Sequence, residues 1–253
     1  MLKLMKYEFR KDLSVYLVLI GMLVAAELYF LMGFMFDNSV SVGIAAFIFI
    51  MGGMVGIIAL MIQGALSYSK ELSSKYSFMT FMTPNSPYKI IGAKYLSLFT
   101  VTAVSSVAYV GFCILDITLI YGKFDDVRAV RDIVRTACRM VGWDTDAYVA
   151  ALIAMLVTMW LGFFFSVSCA YLAITLSATI LENKKGKGFL SFVFFIVIEI
   201  VVSKINDIIP RLDIKGGLGE AILNNIFVYL FEIVAIFLSY LWVSHMLEKK
   251  ISL

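Results

Sequence analysis

The sequence predicts an all-α integral membrane protein with six transmembrane helices and both termini in the cytoplasm. Of its 253 residues, 62% are hydrophobic and only 15% are charged, whereas soluble domains average about 45–50% apolar and about 25% charged residues. The mean hydropathy is +0.95, and it arises from six separate apolar stretches. A helix needs about 20 apolar residues to cross a bilayer about 30 Å thick. These observations exclude a water-soluble globule.

The six apolar stretches are expected to be helices. Backbone polar groups in hydrocarbon must be satisfied within their own segment, and the strands of a membrane barrel would alternate over about ten residues. The first stretch is too long for the apolar core of a signal peptide, so we expect it to be retained. The predicted spans are 13–36, 43–68, 95–121, 148–181, 189–209 and 222–245.

The basic residues predict the orientation of these spans. Cytoplasmic loops carry an excess of Lys and Arg, and one side of the predicted bundle carries 13 of these residues against eight on the other. The richer side holds both termini. We therefore expect one transmembrane permease domain over 1–253, made of an interfacial helix (1–12), spans 1 and 2 (13–68), a cytoplasmic loop (69–94), span 3 (95–121), an external loop (122–147), span 4 (148–181) and spans 5 and 6 (189–245).

The cytoplasmic loop between spans 2 and 3 has the most specific pattern. Leu72, Tyr76 and Met79 recur at helical spacing, which predicts a short amphipathic helix. It should end at Thr83, because Pro84 disfavours the helical region for the residue before it. Such a helix can lie in the lipid interface or fill a groove on a soluble partner, and both uses remain open. Its candidate docking residues are Lys75, Tyr76, Phe78, Met79, Phe81 and Met82.

The first twelve residues predict an amphipathic helix at the inner membrane surface. Met1, Met5 and Phe9 recur four residues apart, and the basic residues fall on other faces of the helical wheel. A helix of this kind lies on an anionic leaflet. Simple anchoring to membrane lipids is the plain alternative for this segment, as it is for the cytoplasmic loop.

These features resemble the membrane permeases of type-2 ABC exporters, especially the compact six-span permeases of bacterial peptide-export and bacteriocin-immunity systems. The six-span layout with both ends inside is shared. The local resemblance lies in the segment Met1–Lys11, in Glu71 and Lys75 followed by Phe81 and Pro84, and in Gly92–Lys94 at the start of the third span.

The resemblance implies a translocation pathway made by two permeases, either two copies of this chain or this chain and a different one. It also implies that about 75–83 is a coupling helix docked on a separate ATP-hydrolysing subunit, present in two copies that bind ATP and magnesium. Residues 1–11 are then the connecting helix before the first span. The expected substrate is amphipathic, such as a peptide, an antibiotic or a lipid-like molecule, and the expected location is the bacterial cytoplasmic membrane, with resistance to antimicrobial peptides as one role.

The chain is not expected to be an enzyme or to hold a cofactor. A phosphate-cradling loop requires Gly-x-x-x-x-Gly-Lys-Ser/Thr between a strand and a helix, and the nearest candidate, Lys184–Gly188, lacks the spacing and the hydroxyl residue. The three cysteines are widely spaced and odd in number, which argues against a disulfide framework or a zinc site. The net charge of +3 is too small to argue for a nucleic-acid partner.

Four carboxylates within the spans are candidate pathway or polar sites: Glu27, Asp116, Glu199 and Glu232. Burying a charge at the helix centre costs at least about 2.5–3.5 kcal/mol on insertion scales, so each needs a partner, a proton or water. For Glu27 and Glu232, an inter-helix hydrogen bond and a pathway lining stay open, and Asp116 has an interfacial position open to it. The same four residues support the alternative function, an ion-coupled secondary transporter.

Two external segments complete the sequence. The loop 122–147 predicts an amphipathic helix on the outer face. Its basic flank is either a solvated face paired with nearby acidic residues or a contact for an anionic substrate or lipid headgroup. The segment 206–220 contains Pro210 and three glycines, so a continuous spanning helix is not expected there. The resemblance implies short re-entrant helices after the fifth span. Because non-helical backbone at that depth must be surrounded by protein or water, we expect the segment to pack against the sixth span. The arginines of the basic flank are Arg128, Arg131, Arg135 and Arg139.

Overall fold

A computed structural model describes residues 2–36, 39–73, 86–124, 148–180, 186–212 and 222–251 of the protein. These residues form six helices and no strand, and each helix is long and apolar enough to cross a membrane, which confirms the predicted all-α class. The helices are α1 (Leu2–Met35), α2 (Ser39–Ser73), α3 (Pro87–Phe124), α4 (Tyr148–Ile180), α5 (Lys187–Ile208) and α6 (Ile226–Ile251).

Several helices extend beyond the predicted spans. At 1.5 Å per residue, the 34 residues of α1 give about 51 Å, well above the hydrocarbon thickness of about 30 Å. The predicted interfacial segment 1–12 is continuous with the first span from Leu2 onward, with no break at Asp12. Pro87 occupies the first position of α3, where a missing N–H costs nothing and the fixed φ suits a helix. The first residues of the predicted loop 69–94 therefore belong to α2, and its last residues belong to α3.

The chain forms two compact units, Met1–Phe124 and Asp125–Leu253, which we call unit 1 and unit 2. In unit 1, α1 contacts α2 and α3, and α2 and α3 also contact each other. In unit 2, α4 contacts both α5 and α6.

Small residues let the helices of unit 1 approach closely, as is common in membrane bundles. A Cβ on Gly53 of α2 would lie 2.8 Å from the ring of Tyr109 on α3. That ring is stacked on Phe49, with 4.6 Å between ring centroids. On the same pair of helices, Gly64 lies against Leu98, whose Cδ1 would be 3.0 Å from an added Cβ.

In unit 2, hydroxyl groups join α4 to its neighbours. The Thr158 and Tyr229 hydroxyls are 2.6 Å apart and link α4 to α6, and Ser177 hydrogen-bonds Ser191 of α5. Gly186 precedes α5 at a φ of 113°, a left-handed conformation that glycine adopts without strain.

The exposed surface of the helices is largely apolar. Large hydrophobic side chains are exposed on all six helices, among them Leu17, Phe47, Val107, Phe189 and Phe237. Soluble monomers rarely expose extended apolar patches, and a lipid environment is one setting that accounts for them. This surface agrees with a multi-pass membrane protein.

The contact between Gly53 and Tyr109 makes a stability prediction. We expect Gly53→Ala to lower the midpoint of thermal unfolding in detergent, because the added methyl meets a ring that Phe49 holds in place and overpacking costs about 1–3 kcal/mol. Gly52→Ala is the matched control: nothing lies within 4 Å of its Cβ position, and it gains the same helix propensity, about 1 kcal/mol. Equal midpoints for the two variants, measured by size-exclusion chromatography after heating, would contradict this packing.

Candidate functional site

Four charged side chains connect the three helices of unit 1, and we call them the charge network: Glu8, Lys11, Glu71 and Lys94. Lys94 of α3 lies between two carboxylates, with its Nζ 2.9 Å from Glu8 Oε2 on α1 and 2.7 Å from Glu71 Oε2 on α2. Lys11 Nζ lies 2.5 Å from the other oxygen, Glu71 Oε1. Lys94 therefore pairs with two carboxylates, and Glu71 pairs with two ammonium groups.

Helical spacing brings these residues together. Glu8 and Lys11 are three residues apart on α1, and Asp12 follows on the same face. Gln63 of α2, two turns before Glu71, donates from Nε2 to Asp12 Oδ1 at 2.9 Å. The adjacent residues Lys11 and Asp12 of α1 thus contact α2 through an ion pair and a hydrogen bond, and their two partners lie about two turns apart on α2.

Burial makes the charge network energetically demanding. The Lys94 side chain is 3% exposed, and those of Glu8 and Glu71 are each 11% exposed. Removing charges from water costs several kcal/mol per ion, which only close pairing with good geometry offsets. Two carboxylates and two ammonium groups leave the network with no net charge. Its members therefore depend on one another.

The charge network brackets the loop between α2 and α3. Glu71 lies two residues before the end of α2, and Lys94 lies in the second turn of α3. The predicted docking helix, with Lys75, Tyr76, Phe78, Met79, Phe81 and Met82, lies outside the described residues. The two ends of the loop that carries it are ion-paired to each other and to α1.

Two of the four predicted intramembrane carboxylates meet in unit 1. The side chains of Glu27 on α1 and Asp116 on α3 lie side by side, within range of hydrogen bonding and electrostatic interaction, and they are 4% and 8% exposed. We call them the carboxyl pair. Asp116 is thus buried beside a residue of another helix. Of the two alternatives for Glu27, this proximity favours an inter-helix hydrogen bond.

A hydroxyl and a thiol lie beside the carboxyl pair on α3. Tyr109, Cys113 and Asp116 recur at helical spacing on one face, and the Tyr109 hydroxyl lies within interaction range of the Cys113 thiol. Cys113 is within electrostatic range of both carboxyl groups. No role was predicted for Tyr109 or Cys113 from the sequence, because a tyrosine and a cysteine are ordinary residues in an apolar segment.

The other two carboxylates lie in unit 2 on different helices. Glu199 of α5 is within electrostatic range of Cys169 on α4. Glu232 lies on α6, and its Oε2 accepts no hydrogen bond within the described part of the chain. Glu199 Oε1 likewise has no hydrogen-bond partner among the residues that the structure describes.

Near the end of α5, Lys204 and Asp207 form an ion pair, with 3.9 Å between Nζ and Oδ2 and both side chains exposed. Exposed pairs of this kind contribute little stability. The predicted basic flank of Arg128, Arg131, Arg135 and Arg139 lies outside the described residues, as do residues 213–220 of the predicted segment 206–220. At its edges, the Leu212 N–H donates to the Asn224 carbonyl at 3.2 Å.

Sequence reasoning missed most of the charge network. Glu71 and Lys94 stood within the segments that carry the family resemblance, but neither was a candidate site residue, and Glu8 and Lys11 had no assigned partner. A signal was present: Glu8, Asp12 and Tyr16 recur four residues apart, and all three are buried. The sequence-based prediction for the N-terminal segment relied on the apolar face of its helix. The face that packs against the protein is the one that carries Glu8 and Asp12.

Comparisons with known proteins give no relative. The chain matches no protein-family profile, no curated protein and no solved structure. Within the described ranges, no group of three or more His, Cys, Asp or Glu side chains is placed to hold a metal ion. The six long apolar helices define the class as a multi-pass membrane protein.

The charge network makes a prediction about Lys94. Lys94→Met leaves Glu8 unpaired and Glu71 with Lys11 alone, and removing one partner of a buried ion pair costs about 3–5 kcal/mol. We expect a clear fall in the thermal midpoint in detergent. Lys89→Met, an exposed lysine of the same helix, is the matched control.

A triple variant separates charge from packing. Adding Glu8→Gln and Glu71→Gln to Lys94→Met removes the uncompensated carboxylates, and we expect it to recover much of the lost stability, because neutral replacements of a whole buried network are often tolerated. A triple variant as unstable as Lys94→Met would show that the lysine stem, and not its charge, stabilises the helix ends.

Proposed function

We propose that the chain is the permease subunit of an ABC-type exporter and forms part of the pathway for an amphipathic substrate. The observation that carries this proposal is the charge network, which fixes the two ends of the loop between α2 and α3 to the first turns of α1. A loop held in this way is suited to receive a force from a partner. The six apolar helices supply the membrane part.

The ion pairs allow movement of the loop to reach three helices together. A displacement of residues 74–85 acts directly on the last turn of α2 and the first turns of α3, and it reaches α1 through Glu8 and Lys11. Separating these ends costs about 3–5 kcal/mol for each uncompensated buried charge. Two discrete packings of the helices, biased by the nucleotide state of a partner, are sufficient for transport.

ATP and magnesium belong to the partner in this proposal. The chain has no Gly-x-x-x-x-Gly-Lys-Ser/Thr segment, so a separate ATPase, in two copies, docks on the aromatic residues of about 75–83. A second permease, identical or different, completes the pathway. The carried molecule is a peptide, an antibiotic or a lipid-like compound, and the membrane is the bacterial cytoplasmic membrane.

The first turns of α1 fit the connecting helix of such a permease. Tyr7 and Phe9 are exposed, whereas Glu8 and Asp12 are buried. Aromatic rings on an outward face, with basic side chains such as Arg10 nearby, suit the headgroup region of a membrane. The segment thus combines an interfacial outer face with an inner face that forms ion pairs.

The docking of an ATPase is testable by affinity purification from mild detergent. We expect wild-type protein to recover a subunit that contains a phosphate-cradling loop, identified by mass spectrometry, together with ATP hydrolysis. Combining Lys75→Glu with Tyr76→Ala, Phe78→Ala and Phe81→Ala should release this subunit, because both the charge and the aromatic contacts are lost. Phosphate release per mole of purified permease measures the loss.

The matched control changes the same residue types elsewhere. Lys204→Glu with Phe189→Ala, Phe192→Ala and Phe227→Ala alters one lysine and three aromatic residues, all exposed, and it should keep the ATPase. Equal recovery from both quadruple variants would contradict docking on the loop. Transport at full rate by the purified chain alone on an ion gradient would contradict the proposal as a whole.

The carboxyl pair favours a second candidate, an ion-coupled secondary transporter. Ionisable groups within the membrane often mark ion or proton pathways. Vesicles that contain only this chain distinguish the candidates. If coupling is by protons, an imposed pH gradient drives accumulation of ethidium, an amphipathic probe, and Glu27→Gln abolishes it. Accumulation only with the ATPase and ATP present excludes ion coupling for this probe.

A further inference from the structure

We infer that Glu27 and Asp116 form a proton-binding site within unit 1, in which the two carboxyl groups hold one proton between them. An ionised carboxylate only accepts hydrogen bonds. A hydrogen bond between two carboxyl groups therefore needs a proton on one of them. The site is expected to bind this proton whether ATP hydrolysis or an ion gradient drives the protein.

Three of the four oxygens in the carboxyl pair are buried without a donor among the residues that the structure describes. No N–H or O–H group of the described residues donates to either oxygen of Glu27 or to Oδ1 of Asp116. Both residues are more than nine-tenths buried. Two ionised carboxylates in contact would repel each other in a medium that screens them poorly, which is why close carboxyl pairs elsewhere retain a proton.

No basic residue of the surrounding helices can replace the proton. Residues 13–36 of α1, 40–69 of α2 and 95–122 of α3 contain no Lys, Arg or His. On α3, the titratable neighbours of the carboxyl pair are Cys113 and Tyr109, which interact with each other. On α1, the Tyr29 side chain is exposed. Residues 40–69 of α2 contain one titratable residue, Tyr68, about five turns along α2 from Phe49, the residue stacked on Tyr109.

A sodium ion is the competing ligand, and the surroundings favour the proton. Hard cations such as sodium take several oxygen ligands. The neighbouring groups on α3 supply one hydroxyl oxygen, from Tyr109, and one thiol, from Cys113. The pair therefore acts as a coupled unit, and its titration belongs to the pair and to neither residue alone.

Infrared spectroscopy of the full-length protein in lipid nanodiscs tests the site without a transport assay. An acid carbonyl and an ionised carboxylate absorb at different frequencies. We expect the difference between wild type and Glu27→Gln/Asp116→Asn at neutral pH to contain one acid band and one carboxylate band. Two carboxylate bands, or two acid bands, would overturn the inference. The control, Asp207→Asn/Glu248→Gln, removes exposed carboxyl groups and should lose carboxylate bands only.

Single variants test the coupling and remain informative if the double variant does not fold. In Glu27→Gln or Asp116→Asn, loss of the last proton no longer places two negative charges together. The acid band should therefore disappear at a pH lower by about one unit or more than in wild type, which is the scale of strong coupling. An unchanged titration would overturn the shared proton.

A change of cation separates the proton from sodium. Replacing choline with sodium at constant pH should leave the wild-type acid band unchanged, and loss of the band in sodium would assign the site to that ion. These outcomes do not depend on an ATPase, so failure of the proton site and failure of the proposed function are distinguishable.

Discussion

One buried ammonium group sets the arrangement of unit 1. Lys94 has almost no contact with solvent, and its two carboxylates come from α1 and α2. Because a buried charge is tolerated only with close partners, none of the three helices can shift at this point without leaving a charge uncompensated. Lys11 supplies the second positive charge that balances Glu71. The interaction fixes the register of the helices as well as their proximity.

Unit 1 neutralises buried acidic groups in two different ways. The charge network uses lysines, whereas the carboxyl pair has no basic neighbour within the surrounding spans and requires a proton. Both sites involve α1 and α3. Lys94 and Asp116 are 22 residues apart on α3, about 33 Å along a helix, and the contacts of Leu98 with Gly64 and of Tyr109 with Gly53 lie between them. A single helix thus carries both polar sites and the close packing that separates them.

The continuity of α1 matters for the proposed function. A separate interfacial helix would reach the first span through a hinge, whereas α1 is one helix from Leu2 to Met35. Movement imposed at Glu8 or Lys11 then passes along a rigid element toward Glu27. In unit 2, the hydroxyls of Ser168 and Thr175 bond carbonyls of their own helix.

The sequence by itself determined the fold class, because the number and length of apolar segments follow from the thickness of a bilayer. It also predicted which carboxylates need an explanation, since an acidic residue in a span is costly wherever it lies. Only the tertiary structure decided the partners: Glu27 with Asp116, and Lys94 with Glu8 and Glu71. These residues are 89, 86 and 23 positions apart in the chain, and helical periodicity relates only neighbours on one helix. Contacts between helices depend on their relative rotation and depth, which close packing at residues such as Gly53 fixes.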